Sequence, residues 1–273
     1  MPNYSVLMSV YKKEDPSFLK QAMDSMFAQT LVTDDFVLVC DGPLTEKLDQ
    51  VIREEEEAHA GVLEVLRREK NEGLGPALNA GLSLCKNDYV ARMDSDDLAD
   101  PKRCQEELDR MEKEGLDLVG SFVNEFEKDP KLVKSLRQPP VSHEEIMAFA
   151  KKRNPFNHPS VMFSKKAVEA AGGYQDMPLF EDYYLWVRML MQGSKGANIN
   201  RPLLSMRVGE GDELVKRRGG WSYAKCILHF RKTIYQMGFT KRKDYLMSTL
   251  PHVVVALMPN RLRSFVYRKF LRK

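Results

Sequence analysis

The chain lacks the usual devices by which a protein announces a membrane span, a disulfide framework or a phosphate loop. No apolar run approaches the length of a transmembrane helix; the nearest, Val253 to Met258, is far too short. Cysteine is scarce: Cys40, Cys85, Cys104 and Cys226 show neither a CxxC nor any paired spacing. That argues against zinc ribbons and disulfide scaffolds and fits reduced core thiols in a cytosolic chain. The opening MPNYSVLMSVY enters a strand pattern without a charged lead-in or cleavage site, so no signal peptide is expected. A P-loop (GxxxxGK[ST]) is absent. The nearest match to a dinucleotide loop, Gly73 to Gly81 (GLGPALNAG), puts Leu78 where the third glycine belongs and does not follow the first strand. With neither loop available, a metal held by carboxylates is the remaining obvious partner for a diphosphate.

What is present is a folded composition: 273 residues, 43% apolar and 30% charged. This is enough for one large α/β domain or a domain with an appendage. The net charge of +3 conceals an asymmetry. Residues 216–273 hold 15 Lys and Arg against one acid, Asp244, a balance of +14, while residues 1–215 carry −11. An acidic body with a basic tail bears on partners, not on fold.

Tyr4 to Val10 reads as a buried strand, and Asp15-Pro16 caps a helix with Leu19, Ala22, Met23, Met26 and Phe27 at helical spacing. Strands are expected at Phe36–Cys40, Val62–Leu66 and from Tyr89, with helices between them, the second carrying its acidic run on a solvated face. This β-α alternation predicts a Rossmann-like, mostly parallel sheet flanked by helices. A fifth strand is expected at Leu116–Phe122, a short helix at His143–Lys152, a strand at Ser160–Phe163, and a helix at Lys165–Ala171 closed by Gly172-Gly173.

The stretch Tyr89 to Arg103, YVARMDSDDLADPKR, is the most informative. An apolar strand stops at Asp94, Asp96 and Asp97, and Asp100-Pro101 is expected to open a helix. Asp97 and Asp100 read equally as a solvated turn and a cap. If the chain stays extended, Asp94 and Asp96 point the same way. Convergent carboxylates at the carboxyl edge of an open sheet suit a hard divalent ion, Mg²⁺ or Mn²⁺. An EF-hand loop does not fit: Leu98, Ala99 and Gln105 stand where that loop needs a ligand, a glycine and a glutamate. Asp41, in Asp-Gly-Pro at the end of the second strand, faces the same crevice or simply turns the chain. His158 is either structural or turned toward the site. Glu181 and Asp182 open an apolar helix, where one acid would satisfy the helix dipole and a carboxylate at an apolar rim would also serve as a general base. Arg188 on that helix either pairs with an acid or meets an anion.

Taken in order, these pieces resemble the family 2 glycosyltransferases of GT-A fold, particularly the bacterial enzymes that build capsule, O-antigen and other surface polysaccharides. SVLMSVY (5–11), VLVCDG (37–42), NEGLGPALNAGL (71–82), YVARMDSDD (89–97) and FEDYYLWVR (180–188) resemble the family's motifs over about residues 4–210. The resemblance implies an inverting, metal-dependent transfer of a hexose from a nucleotide-diphosphate sugar, UDP-sugar favoured, to a lipid-linked or saccharide acceptor, carried for instance on a polyprenyl diphosphate. It implies that Ser9, Tyr11, Asp41, Asn71, Asn79, Asp94 and Ser95 bind the nucleotide-sugar and that Asp96, with Asp94, holds Mn²⁺ or Mg²⁺. Asp182 is then the general base, with Glu181 beside it as support or as the alternative base. His158, Arg188, Arg207, Arg217 and Arg218 are the candidates for acceptor or phosphate contacts. Leu78 and Met206 stand where the family often carries Arg and Tyr.

Residues 1–215 are read as the catalytic domain and 216–273 as a basic helical extension. The extension is expected to comprise a helix over Ser222–Met237, an apolar hairpin-like stretch, and a final helix with Leu262, Phe265, Val266 and Phe270 on one face. Its composition points to contact with an anionic membrane surface, which places the protein peripherally on the inner face of the cell membrane. The alternatives are a tail packed on the domain and a tail that serves a homodimer. A nucleic-acid arm fits less well, because the aromatics do not interleave as stacking platforms. Two further readings differ in class. A sugar-phosphate nucleotidyltransferase would want a glycine-rich basic loop after the first strand, where SVYKKEDP has no glycine. An inactive scaffold would lack metal-dependent nucleotide binding.

Overall fold

A computed structural model describes residues 3–209 and 218–266. The described chain runs β1 (Tyr4–Val10), α1 (Pro16–Phe27), β2 (Asp35–Cys40), α2 (Glu46–Ala58), β3 (Leu63–Arg67), α3 (Leu74–Leu84), β4 (Tyr89–Asp94), β5 (Leu98–Ala99), α4 (Arg103–Glu114), β6 (Leu118–Phe126) and β7 (Ser135–Arg137). It continues through α5 (His143–Phe149), a 3₁₀ turn at His158–Ser160, β8 (Met162–Ser164), α6 (Lys165–Ala170), α7 (Glu181–Met191) and β9 (Gly196–Arg207). Three helices follow, α8 (Gly220–Gln236), α9 (Arg242–Leu257) and α10 (Asn260–Val266).

The strands form one sheet in the order β3-β2-β1-β4-β8-β6-β9-β5, with β7 on β6. The first four are mutually parallel. β8 runs antiparallel to both β4 and β6, and β5 antiparallel to β9. The alternation expected of a parallel sheet therefore holds for the first half and gives way to a mixed sheet in the second.

Because successive side chains on a strand face opposite ways, β1, β2 and β4 feed two cores. Leu7, Val37, Val39 and Val90 pack under α3 and α7, with Trp186 at the centre. Val6, Met8, Phe36, Leu38, Ala91 and Met93 pack under α1, α2 and α4. Gly81 lets α3 lie close on the sheet: a Cβ there would meet Leu7 Cδ1 at 2.5 Å and Val39 Cγ2 at 2.6 Å. Gly81→Ala should therefore cost about 1–3 kcal/mol of stability, read as a lower denaturant midpoint at unchanged slope.

Local chemistry sets the helix starts, and in three places it differs from the sequence expectation. Asp15 caps α1, accepting from Ser17 N at 2.8 Å. Asp100 does not open α4. Leu98–Ala99 pairs with β9 instead, Asp100 accepts from Lys102 N at 2.9 Å in a turn, and α4 begins at Arg103. The acidic run of α2 is not wholly solvated, since Glu55 is buried against Lys20 at 2.8 Å. The stretch read as hairpin-like is the continuous helix α9. Phe230 and Ile234 of α8 join the core under α7, and Phe230 stacks on Phe180 at 4.8 Å, so α8 is built onto the sheet's helical layer.

Candidate functional site

Parallel pairing puts the carboxyl ends of β1, β2 and β4 on one edge. Ser9 lies in register with Asp94, and Asp41 follows directly on Cys40, the partner of Val10. The chain does not stay extended past Asp94: Ser95-Asp96 is a turn. The turn nevertheless gathers the acids, and one oxygen from each of Asp94, Asp96 and Asp97 lies within 4.8 Å of the others. Asp97, read from sequence as a possible turn residue, is buried and accepts from Arg207 N at 2.8 Å, leaving Oδ2 buried without a hydrogen-bond partner. Burial and the charges of Asp94 and Glu14 push Asp96 up to about 7. Burial and the charges of Asp94 and Asp96 push Asp97 well above the ordinary range. Crowded oxygens, one of them unpartnered, fit a hard divalent cation, for which carboxylate oxygen is the natural ligand. Ser95 donates to Glu14 Oε2 at 2.6 Å, tying the turn to the loop after β1.

Arg92 lies beneath this cluster. It points to the α3–α7 side of β4, as Asp94 two residues on also does, and pairs with Asp94. It is 1% exposed, and its Nε and Nη1 have no hydrogen-bond partner. Its charge acts on Asp96, Asp97, Asp182, His158 and Tyr174 together. The guanidinium therefore links the acidic turn to the groups around α7.

On that side, the N-terminus of α7 approaches α3. Gly75 lies at this contact: a Cβ there would sit 3.4 Å from Tyr174 Cβ and 3.8 Å from Glu181 Cγ, ordinary packing distances. Asp182 accepts from Asn154 Nδ2 and from Tyr183 N, both at 2.7 Å. Burial raises Asp182 above the ordinary carboxylate range against those hydrogen bonds and Arg92. Glu181 is also raised, chiefly by burial. His158 Nε2 lies 2.9 Å from the Tyr174 hydroxyl; burial, aided by Arg92, pushes it well below its ordinary value. His158 and the buried Tyr174 thus pack together on this side of the sheet.

Asp41 is 4% exposed and accepts from Arg68 Nη1 (2.9 Å), Glu72 N (3.0 Å) and Gly73 N (2.9 Å). It thus shapes the loop entering α3, and Asn71 Nδ2 completes that loop by donating to Asp41 O at 3.1 Å. Both ends of the Asn79 amide are occupied by the backbone of Tyr174, at 2.7 and 2.8 Å. In this structure Asn79 staples α3 to the Tyr174 loop. Tyr11 is exposed at the rim.

The basic candidates separate. Arg188 does not face the site: it donates to the carbonyls of Ala171 and Gly173 and lies over the Tyr184 ring, because the Gly172-Gly173 turn offers unpaired carbonyls at that place. Its expected acceptor or phosphate role is corrected accordingly. Arg207 does reach the acidic turn, donating from Nε to Asp96 O at 3.1 Å while lying 3.8 Å over the Phe18 ring. Arg217 lies outside the described residues. Arg218 is described and acts on His252 of α9, away from the acidic turn.

Five groups around the site were not singled out from sequence: Arg92, Glu14, Arg68, Asn154 and Tyr174. Arg92 had a signal, an arginine inside an otherwise apolar strand just before the acids. Asn154 and Tyr174 had none, since what places them is packing across 28 residues to Asp182 and 16 to His158.

The profile of a family described as Glycosyl transferase family 2 matches residues 5–172. The chain is 36% identical over 275 residues to the UDP-Gal:alpha-D-GlcNAc-diphosphoundecaprenol beta-1,3-galactosyltransferase of Escherichia coli, covering 100% of this chain and 98% of that protein. It is 39% identical over 270 residues to the amylovoran biosynthesis glycosyltransferase AmsE of Erwinia amylovora, covering 97% and 98%. Among solved structures it is similar in fold to S. aureus TarS 1-349 in complex with UDP-GlcNAc (TM-score 0.69, 14% identity, 98% of this chain and 76% of that one). It is likewise similar to the mannosyltransferase PcManGT of Pyrobaculum calidifontis in complex with GDP-Man and Mn²⁺ (TM-score 0.67, 15% identity, 93% and 74%).

Proposed function

Since this chain belongs to glycosyl transferase family 2 and is a glycosyltransferase of GT-A fold, we propose that it transfers a hexose, with inversion and with a divalent cation, from a UDP-sugar to a hydroxyl of a polyprenyl-diphosphate-linked saccharide. The observation that carries the reading is the placement of Arg92. It pairs with Asp94 of the carboxylate turn, and its charge also acts on half-buried Asp182 at the N-terminus of α7.

The chemistry follows from these positions. Asp94, Asp96 and Asp97 would hold Mn²⁺ or Mg²⁺, which when bound supplies Lewis-acid stabilisation to the departing diphosphate. Ser9, Tyr11, Asn71, Ser95 and the Asp41–Arg68 pair line the edge on which the nucleotide would lie. Asp182 takes the proton of the incoming acceptor hydroxyl as its oxygen bonds to the anomeric carbon and the bond to the diphosphate breaks. Attack from the face opposite the leaving group inverts the anomeric configuration. A lipid-linked acceptor used with a nucleotide-sugar would set the reaction at the cytoplasmic face of the cell membrane. The Escherichia coli relative, named for a GlcNAc-diphosphoundecaprenol acceptor, supports this acceptor class.

The test is transfer from α-configured UDP-hexoses to a synthetic GlcNAc-diphospho-lipid, with the new linkage read by proton NMR. A β-linked product supports the proposal, and an α-linked product contradicts inversion. If no UDP-sugar is turned over while a sugar 1-phosphate and nucleoside triphosphate react, the nucleotidyltransferase reading replaces it.

Asn154 acts on Asp182 as a positioning residue. Its hydrogen bond favours the ionised carboxylate and so lowers that group's pKa. Asn154→Ala should move the acid limb of the kcat profile to higher pH and lower kcat by about tenfold. An unmoved limb would show that Asn154 only packs.

A further inference from the structure

Helix α9 turns its larger apolar side chains outward. Its inward positions are small or polar: Ala256 is 1% exposed and packs with Ala224 and Ile227 of α8, Ser248 and Thr249 are each 7% exposed, and His252 reaches Arg231 of α8 at 3.4 Å. Both hydroxyls are satisfied by their own helix, donating to Tyr245 O. Its outward positions are apolar. Leu246, Met247, Leu250, Val254 and Leu257 are 46–67% exposed. At 100° per residue they fall within one stripe about a third of the helix wide. Leu262 of α10, 49% exposed, follows the same helix pair. The charges around the stripe are of one sign. Lys241, Arg242 and Lys243 are exposed at its start and Arg261 beyond its end. Residues 218–266 hold nine Lys and Arg against one acid, Asp244.

We propose that the outward apolar face of α9, rimmed by Lys241, Arg242, Lys243 and Arg261, lies in the interface of an anionic lipid bilayer. An exposed apolar stripe with a cationic rim fits a surface that is apolar below and negative at the level of the headgroups. Among the described residues no helix is long and apolar enough to cross a membrane, so the helix lies in the surface plane. This extends the expected membrane contact, read on a terminal basic stretch whose Phe270 lies outside the described residues, to α9. It also gives the contact a direction. α9 packs on α8, whose Phe230 stacks on Phe180 beside Glu181 and whose Arg231 donates to the carbonyls of Lys151 and Lys152, next to Asn154. The lipid-facing helix and the base are therefore joined through α8, which suits an acceptor anchored in the same bilayer. Only that last point rests on the function proposed above.

The test is flotation of the full chain with vesicles of phosphatidylcholine alone and of phosphatidylcholine with phosphatidylglycerol, without nucleotide or acceptor. It is run for the wild type and for Leu250→Asp/Val254→Asp, with thermal melts to confirm that the variant folds. The wild type should float with the anionic vesicles, and the bound fraction should fall about tenfold in the variant or without the anionic lipid. The melting temperature and transfer to a water-soluble acceptor should be unchanged. Wild-type protein that stays at the bottom of the gradient, or a folded variant that floats equally well, would overturn the proposal. Sedimentation showing a wild-type dimer that the substitutions split, without vesicle binding, would assign the face to a second copy instead. Because flotation needs no turnover, failure of the transferase reading leaves this result standing and separately readable.

Discussion

Asp182→Asn should reduce kcat by about 10³-fold while leaving UDP affinity within a few fold. The amide keeps the size of the carboxylate and can still accept from Asn154 or Tyr183, so the change removes proton acceptance without collapsing the α7 start. Glu181→Gln should cost far less, because the side-chain donor Asn154 aims the carboxylate of Asp182 and not that of Glu181. The pH profile carries a second signature. Burial raises the pKa of Asp182, so its protonated form, which cannot accept a proton, persists to higher pH than for an ordinary carboxylate. The acid limb of kcat should accordingly lie above the ordinary range, with activity lost as pH falls through it, and should vanish from the residual rate of Asp182→Asn. If Glu181→Gln instead shows the large loss and Asp182→Asn the small one, the base is Glu181.

Arg92→Leu should reduce kcat/KM by roughly 10²-fold at neutral pH, about 3 kcal/mol of lost transition-state stabilisation. Two effects combine. Asp94 loses its partner, and the cation that favours the ionised forms of Asp96, Asp97 and Asp182 disappears. Those carboxylates then titrate at still higher pH, so more of each is protonated at neutral pH and fewer can hold a cation or accept a proton. Raising the pH should restore part of the loss in the variant more than in the wild type. Arg92→Lys keeps the charge but not the planar guanidinium that meets Asp94, and should fall between. A loss that is independent of pH and matched by a lower melting temperature would reduce Arg92 to a packing residue.

The contrast between Asp94 and Arg92 shows what was legible in the sequence. Strand ends rich in acid stand out because apolar periodicity stops there, so the edge bearing Asp41, Asp94 and Asp96 was readable from local pattern alone. The same habit of following apolar runs passes over an arginine inside one, although a charge in a buried strand must have a partner. The turn at Ser95-Asp96 was equally hidden: an extended chain and a turn both converge the carboxylates, and only the Ser95–Glu14 bond, 81 residues apart, distinguishes them. The antiparallel course of β8 depends on pairing with β4 and β6 that three residues cannot specify locally. Asn79 and Arg188 carry motif positions whose side chains serve backbone carbonyls and amides, a use that residue type does not reveal. In α9 the periodicity was present, but which face turns inward is decided by α8, through contacts such as Arg231 to His252.

The most direct test of the account is calorimetric titration of UDP into the purified chain with and without Mn²⁺, beside Asp96→Ala. The account predicts binding that requires the cation and is lost in Asp96→Ala, since the variant removes one of three oxygens that lie within 4.8 Å of one another. Binding of equal strength with and without the cation, or retained in full by Asp96→Ala, would contradict the placement of a metal at this turn. A chain that binds no nucleoside diphosphate under any metal condition would contradict the transferase mechanism itself.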